Sequence, residues 1–468
     1  MKRDPGSYRD PSGYVFHDND AIFRAIMPHG EKYWESIRHS SFIADLARNG
    51  KLIDFIEVDR DKWPKINDTK NIAALVRHPK LRFISYPYEW PFEALRDAAI
   101  AHVDIHKKLL EHEFNLADGS AYNIQFIGTK PIFIDLLSIR PYNEGEYWIA
   151  QDQFLRQFVN PLVFEAYTGV GFDALYRAKI EGIPVTELAA LLPFYTRFKP
   201  SLQFSVFLPA YFTARSISSR KINKINKKKL KPLPKDTYIQ MLHQMKKIVK
   251  QLTPKRNQTV WSEYGIMTSY TEIGQQEKEA FVRDYVRKIK PELLIDIGCN
   301  NGSYSEAAFK AGARSIIGLE MDRTALDYAY LRAKEKGYTF YAICVDLANP
   351  SPSQGWRNQE RKGLSTRLHE AKADGLLALA VTHHMIIGRN LPMNEVIEEL
   401  TSYADTGVIE FVPKTDPKVQ ELLQHREDIF HDYNEESFRS VLKQKAHIIT
   451  EHKISESDRI LFWYERIK

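Results

Sequence analysis

From Leu293 onward the chain alternates short apolar runs with helix-like stretches. "LLIDIG" is bounded by turn residues and followed by "SYSEAAFKAGA", whose composition suits a helix ending at Gly312. "SIIGLEMD" reads as a second strand, "RTALDYAYLRAKEKG" as a second helix and "TFYAICVDL" as a third strand. The runs in "ADGLLALAVTHHM" and "TGVIEFVPKTDP" supply a fourth and a fifth, and the tail from Arg426 reads as a helix followed by two alternating strands. Strands alternating with helices predict an α/β fold: a Rossmann-like, mostly parallel sheet with helices on both faces, whose ligands sit beyond the carboxyl ends of the strands. The turn after "LLIDIG" therefore faces the site.

The first half has a different rhythm. "GYVFHDNDAIFRAI" and the helix candidate "KYWESIRHSSFIADLARNG" precede the strand-like "LRFISYPYEWPF", a long helix candidate "EALRDAAIAHVDIHKKLLEHEF", and then "NLADGSAYNIQFIGTKPIFIDLLSI". This is α+β patterning. Between the halves, Arg215 to Asp236 carries nine Lys/Arg and no acid before Asp236. That run is either a solvated linker or an arm for an anion or RNA. The expected organisation is an α+β domain over 1–213, a basic linker and helix over 214–252, and the doubly wound domain over 253–468.

Composition narrows the classes. With 468 residues, 43% hydrophobic and 27% charged, the chain has material for more than one core. A net charge of +6 suits an anionic ligand but falls short of a dedicated nucleic-acid binder. Cys299 and Cys344, both in strand-like runs, make no disulfide framework or thiolate metal site, which is expected of a reducing, cytoplasmic protein. The start "MKRDPGSYRDPSG" lacks the apolar core of a signal peptide. The longest apolar run, "SLQFSVFLPAYFTA", is shorter than a bilayer and broken by Pro209, so no membrane span is expected.

The turn separates two cofactor classes. A dinucleotide fold needs G-x-G-x-x-G to bring backbone and a helix N-terminus onto a pyrophosphate. Here the pattern is Asp296-x-Gly298-x-Asn300-x-Gly302, with no third glycine in register. An acid at the strand end repels phosphate and suits an ammonium group. In this turn the chain resembles the class I S-adenosyl-L-methionine (SAM)-dependent methyltransferases, whose first motif reads like "DIGCNNG". That resemblance implies SAM as cofactor, with Glu320 of "GLEMD" on the ribose hydroxyls and Asp346 and Leu347 of "CVDLA" beside the adenine. It also places the acceptor near the end of the fourth strand, where His383 or His384 can serve as a general base or merely cap the next loop. "WSEYGIMTSY", Trp261 to Tyr270, either covers the cofactor or packs in the core. The resemblance covers roughly Thr253 to Lys468. Most of the chain is also similar to the nodulation-protein-like methyltransferases. No metal is implied.

In the first half, Asp118 stands five residues before Asn123, and Asp135 closes the strand "PIFID". This order resembles protein kinases and aminoglycoside phosphotransferases, in which an aspartate orients the acceptor hydroxyl while an asparagine and a second aspartate hold magnesium against ATP. The likeness departs from that pattern in three places: no histidine-arginine precedes Asp118, no glycine-rich loop lies between Gly6 and Ile26, and Arg24 stands where an ATP-binding lysine belongs. Turn chemistry alone also favours these residue types.

The expectation is a SAM-dependent methyltransferase acting on an oxygen or nitrogen of a saccharide or small molecule. The alternatives are a bifunctional kinase and methyltransferase, an RNA or protein methyltransferase, and a non-catalytic SAM-binding scaffold.

Overall fold

A computed structural model describes residues 2–18, 21–64, 71–218, 231–255 and 271–467. It divides into two compact units. The first comprises Met1–Phe126, Lys130–Arg256 and Ser353–Arg361; the second comprises Ile127–Thr129, Asn257–Pro352 and Lys362–Lys468.

The first unit begins with five antiparallel strands: β1 (Lys2–Arg3), β2 (Gly13–Asp18), β3 (Ala21–Ile26), β4 (Ile56–Glu57) and β5 (Ala74–Pro79), in the order β1-β2-β3-β5-β4. Strand alternation buries Ala21, Phe23 and Ala25 with Phe16, Ile72 and Leu75 in one cluster. The same alternation turns Arg24 to the other face. The stretch expected as one helix after β3 is two, Pro28–Ile37 and Ser41–Arg48. Ser40 is extended and its hydroxyl accepts from the Ile43 amide at 3.4 Å, which starts the second helix afresh. "LRFISYPYEWPF" joins no strand ladder: Pro87 and Pro91 lack amide donors, and Pro87–Glu89 forms a 3-10 turn leading into the helix Phe92–Glu111.

Beyond that helix, β6 (Phe114–Leu116) pairs with β9 (Ile139–Pro141), and β7 (Ile124–Ile127) with β8 (Lys130–Phe133). Short helices follow. The stretch 214–252, expected as linker and helix, is not a unit of its own. Its helix Lys235–Gln251 buries Tyr238, Leu242 and Val249, packs on Phe92–Glu111, and pairs Lys246 with Asp104. The apolar stripe outweighs the charges around it.

The second unit is one seven-stranded sheet flanked by helices. Its strands are β10 (Leu294–Ile297), β11 (Ser315–Glu320), β12 (Thr339–Cys344), β13 (Gly375–Ala378), β14 (Thr406–Phe411), β15 (Ala446–Lys453) and β16 (Ile460–Arg466), in the order β12-β11-β10-β13-β14-β16-β15. The first five are parallel; β16 runs antiparallel to both β14 and β15. The order reverses at β10, the position where open α/β sheets place a ligand, between the loops after β10 and β13. Ser353–Arg361 lies inside the sequence range expected for this domain but belongs to the first unit. Glu360 is held there by Arg9 and Tyr8. Among the described residues no helix is long and apolar enough to cross a membrane.

Candidate cofactor and acceptor site

The turn after β10 is built on left-handed backbone, with φ of 68° at Gly298, 48° at Asn300 and 77° at Gly302. Such angles favour glycine, or asparagine at lower cost. The amides of Gly298 and Cys299 donate to the Leu319 carbonyl at 2.8 and 3.1 Å, which ties the turn to β11. A Cβ at Gly302 would stand 3.0 Å from the Ala329 Cβ, so a side chain there would push the turn off the helix Arg323–Lys336.

Three acids cluster on adjacent strand ends. Asp296, in β10, is buried and accepts from the Ser305 hydroxyl. Burial pushes its carboxyl up to about 7, against the opposing pull of Ser305 and the Lys278 ammonium. Glu320 closes β11: its Oε2 accepts from the Asn300 amide at 2.9 Å, and its Oε1 from the amides of Met321 and Asp322, each at 2.8 Å. Burial raises this carboxyl too, opposed by those amides. Asp346 follows β12 and accepts from the Ala348 amide at 3.0 Å and from Arg389 Nη2 at 2.6 Å. Leu347 beside it is half-buried. Hydrogen bonds thus join Asn300 to Glu320, while Asp346 and Leu347 stand one strand further out.

Past β13, Thr382 donates from Oγ1 to the Glu410 carbonyl at 2.9 Å. His383 is fully buried, and neither ring nitrogen has a hydrogen-bond partner among the described residues. Burial, reinforced by the charges of neighbouring His384, Arg459 and Lys278, holds its imidazole well below the usual range. His384, with its ring centroid 4.0 Å away, opens a π-helical turn to Gly388 and is pushed down to about 4, again chiefly by burial. Both rings are neutral near pH 7. A neutral imidazole accepts a hydrogen bond readily, but at such low pKa it is a weak proton acceptor.

Pattern reading of the sequence missed a buried charge network beside this histidine. Lys278 Nζ donates to Glu410 Oε2 at 2.7 Å, Arg459 Nη1 contacts Glu410 Oε1 at 3.4 Å, and Arg459 Nε donates to Asp416 Oδ2 at 2.7 Å. Lys278, Arg459 and Glu410 are almost wholly buried. Two cations and two carboxylates balance, which is what makes such burial tolerable. Lys278 sits in an otherwise charged helix, Glu272–Ile289, where a lysine reads as surface.

In the first unit, Asn123 Nδ2 lies 3.1 Å from Asp118 Oδ2 and 3.5 Å from Asp135 Oδ2, and Arg24 pairs with Asp135. The three polar side chains converge. Burial, then the charge of Asp135, raises the Asp118 carboxyl. Turn chemistry is present as well, since Asp118 accepts from the Ser120 amide at 3.0 Å and Asp135 from that of Leu137 at 3.3 Å. The segment Ser353–Arg361 lies against this region: Glu360 accepts from Arg9 Nη2 at 2.7 Å and from the Trp356 amide at 2.8 Å. The Arg361 guanidinium stands 4.1 Å from the ring centroid of Tyr122, the residue before Asn123. Burial raises the Glu360 carboxyl, but the hydrogen bonds from Arg9 and Tyr8 outweigh it and leave it at about 2. No group of three or more His, Cys, Asp or Glu able to hold a metal occurs among the described residues. Trp261–Tyr270, expected either to cover the cofactor or to pack in the core, and residues 219–230 of the basic run lie outside the described residues.

Strand order, the reversal at β10 and acids at successive strand ends define the second unit as a class I methyltransferase fold. The chain belongs to the NoeA family of nodulation proteins. It is 38% identical over 464 residues to nodulation protein NoeA of Rhizobium meliloti (strain 1021), spanning 98% of this chain and 95% of that one. No family model matches the chain. Among solved structures, that of WbdD is similar over 43% of this chain and 42% of its own, at 15% identity and a TM-score of 0.33. Magnesium protoporphyrin IX methyltransferase ChlM from Synechocystis PCC 6803, with bound SAH, is similar over 42% of this chain and 84% of its own, at 21% identity and a TM-score of 0.30. The N-methyltransferase NodS from Bradyrhizobium japonicum WM9 is similar over 42% of this chain and 98% of its own, at 10% identity and a TM-score of 0.31.

Proposed function

We propose that the second unit binds SAM and transfers its methyl group to an oxygen or nitrogen of a saccharide or small-molecule acceptor. The carrying observation is the ordered set of a left-handed glycine turn and acids on the ends of β10, β11 and β12. The residues present fit the cofactor. Gly298 leaves room for close backbone approach while Gly302 seats the turn against the helix Arg323–Lys336; Asp296 suits the ammonium of SAM, Glu320 its ribose hydroxyls, and Asp346 with Leu347 the adenine edge and face. SAM, when bound, supplies a methyl on an electrophilic sulfonium.

The chain's own part is positioning and exclusion of water. Neutral His383, whose ring nitrogens have no partner among the described residues, is sealed from solvent and would meet an acceptor hydroxyl or amine only where the turn after β13 opens; half-buried His384 packs beside it. This supports an acceptor that carries such a group.

Glu320→Ala should remove charge-assisted hydrogen bonds of about 1.5 to 3 kcal/mol, weakening SAM binding roughly ten- to a hundredfold. Titration calorimetry on a folded variant reads this directly, and unchanged affinity would remove Glu320 from the site.

Asp296 makes a second measurable contribution. A cation binds its ionised form, so below pH 7 binding must first displace a proton. SAM affinity should therefore rise between about pH 5.5 and 7, by at most roughly tenfold per unit. In Asp296→Asn this slope should vanish; a wild-type affinity flat across that range would contradict the role.

The convergence of Asp118, Asn123 and Asp135 supports a second reading, in which the first unit is a kinase-like domain that recruits substrate or regulates transfer. Arg24 is already committed to Asp135, and Glu360 closes on Arg9 and Tyr8. An active phosphotransferase is therefore disfavoured. Magnesium-dependent ATP turnover abolished by Asp135→Asn would show that the unit is an enzyme in its own right.

A further inference from the structure

The first unit presents a band of large aromatic side chains to solvent. Phe194, Phe198, Phe204 and Phe212 are 70%, 74%, 75% and 61% exposed, and Tyr195 and Tyr211 are more than half exposed. Singly, exposed aromatics need no account; a contiguous set marks an interaction surface. Their placement is periodic. From Pro200 to Ser218 the chain is helical throughout, and Leu202, Val206 and Ala210 bury one side of it in the unit. Phe204, Leu208, Tyr211 and Phe212 recur at helical spacing on another side. The helix thus has two apolar faces, and among the described residues only one is covered.

Charge says what the uncovered face meets. From Phe194 to Arg215 the face holds Arg197, Lys199 and Arg215 and no Asp or Glu. Arg197 stands 5.8 Å from the ring centroid of Phe194 and 5.6 Å from that of Phe207, and Arg215 Nη1 donates to the Tyr211 hydroxyl at 3.2 Å. Cations therefore border the aromatic rings. A second copy meeting this face across a two-fold axis would set like charges against each other. An anionic lipid surface meets both demands: rings enter the headgroup boundary while guanidinium and ammonium groups pair with lipid phosphates.

We propose that the face from Phe194 to Arg215 docks this protein on the surface of an anionic phospholipid bilayer, lying in its plane without crossing it. The test is co-sedimentation of the full chain with vesicles of phosphatidylcholine alone or mixed equally with phosphatidylglycerol. Binding is expected only to the mixed vesicles and should weaken as salt is raised. Phe204→Ser combined with Phe212→Ser should reduce it at least tenfold, while the melting temperature holds because both rings are already in water. Four outcomes overturn the proposal: no binding, equal binding to both lipids, a double variant that binds like wild type, or a wild-type dimer in sedimentation velocity that the double variant dissolves. The last assigns the face to a second copy.

Discussion

Lys278→Met should lower the unfolding free energy of the second unit by about 3 to 5 kcal/mol, the usual cost of stranding one partner of a buried ion pair. Glu410 has Lys278 at 2.7 Å and Arg459 at 3.4 Å, so removing the nearer cation leaves the network one negative charge in excess and the more distant cation facing Glu410. Burial already lowers the Lys278 ammonium, which shows how costly the site is for an isolated charge. Lys278→Met with Glu410→Gln should recover most of the loss, because a neutral pair needs no compensation. Chemical denaturation followed by tryptophan fluorescence measures both. A single variant less than about 1 kcal/mol destabilised would mean that water or Arg459 carries the charge.

The second large effect is acid destabilisation of the first unit. His78, His102 and His106 are buried there and held at about 4, 3 and 4, chiefly by burial. Their folded values lie below the unfolded one of about 6.5, so below that pH the unfolded chain binds the extra protons. Stability is therefore whole above pH 6.5 and falls as pH drops toward 4, by about 1.4 kcal/mol per unit for each ring and on the order of 3 kcal/mol each by pH 4. His102 is the sharpest case, its ring lying among Phe133, Phe154 and Phe158 with the Asp118 backbone alone opposing the effect of burial. Melting temperatures from pH 7 to 4.5 should fall steeply, and His102→Leu should flatten the slope. A melting temperature constant over that range would contradict the burial of these rings as neutral groups.

The sheet of the second unit was legible because its five parallel strands are short apolar runs ended by turn residues and the last two alternate, and the acids closing the first three stand where a ligand belongs. Asp296, Gly298, Gly302 and Glu320 were visible for the same reason: local spacing encodes local geometry. Lys278 and Arg459 were not, since they reach Glu410 across 132 and 49 residues and nothing near them in sequence marks the pairing. Ser353–Arg361 shows the same limit. Its place in the first unit depends on Arg9 and Tyr8, some 350 residues away. The helix Lys235–Gln251 was hidden differently, because its basic flank reads as linker while Tyr238, Leu242 and Val249 supply a core face. In "LRFISYPYEWPF" the aromatic and β-branched residues suggested a strand, and two prolines decided otherwise.

The most direct test of methyl transfer is mass spectrometry of cell extract incubated with the full chain and SAM carrying an isotopically labelled methyl group. A saccharide or small molecule should gain the labelled methyl, S-adenosylhomocysteine should accumulate with it, and both signals should fall at least tenfold in Glu320→Ala. Extract in which no S-adenosylhomocysteine forms, with no SAM binding by calorimetry on the same preparation, would contradict methyl transfer by this chain.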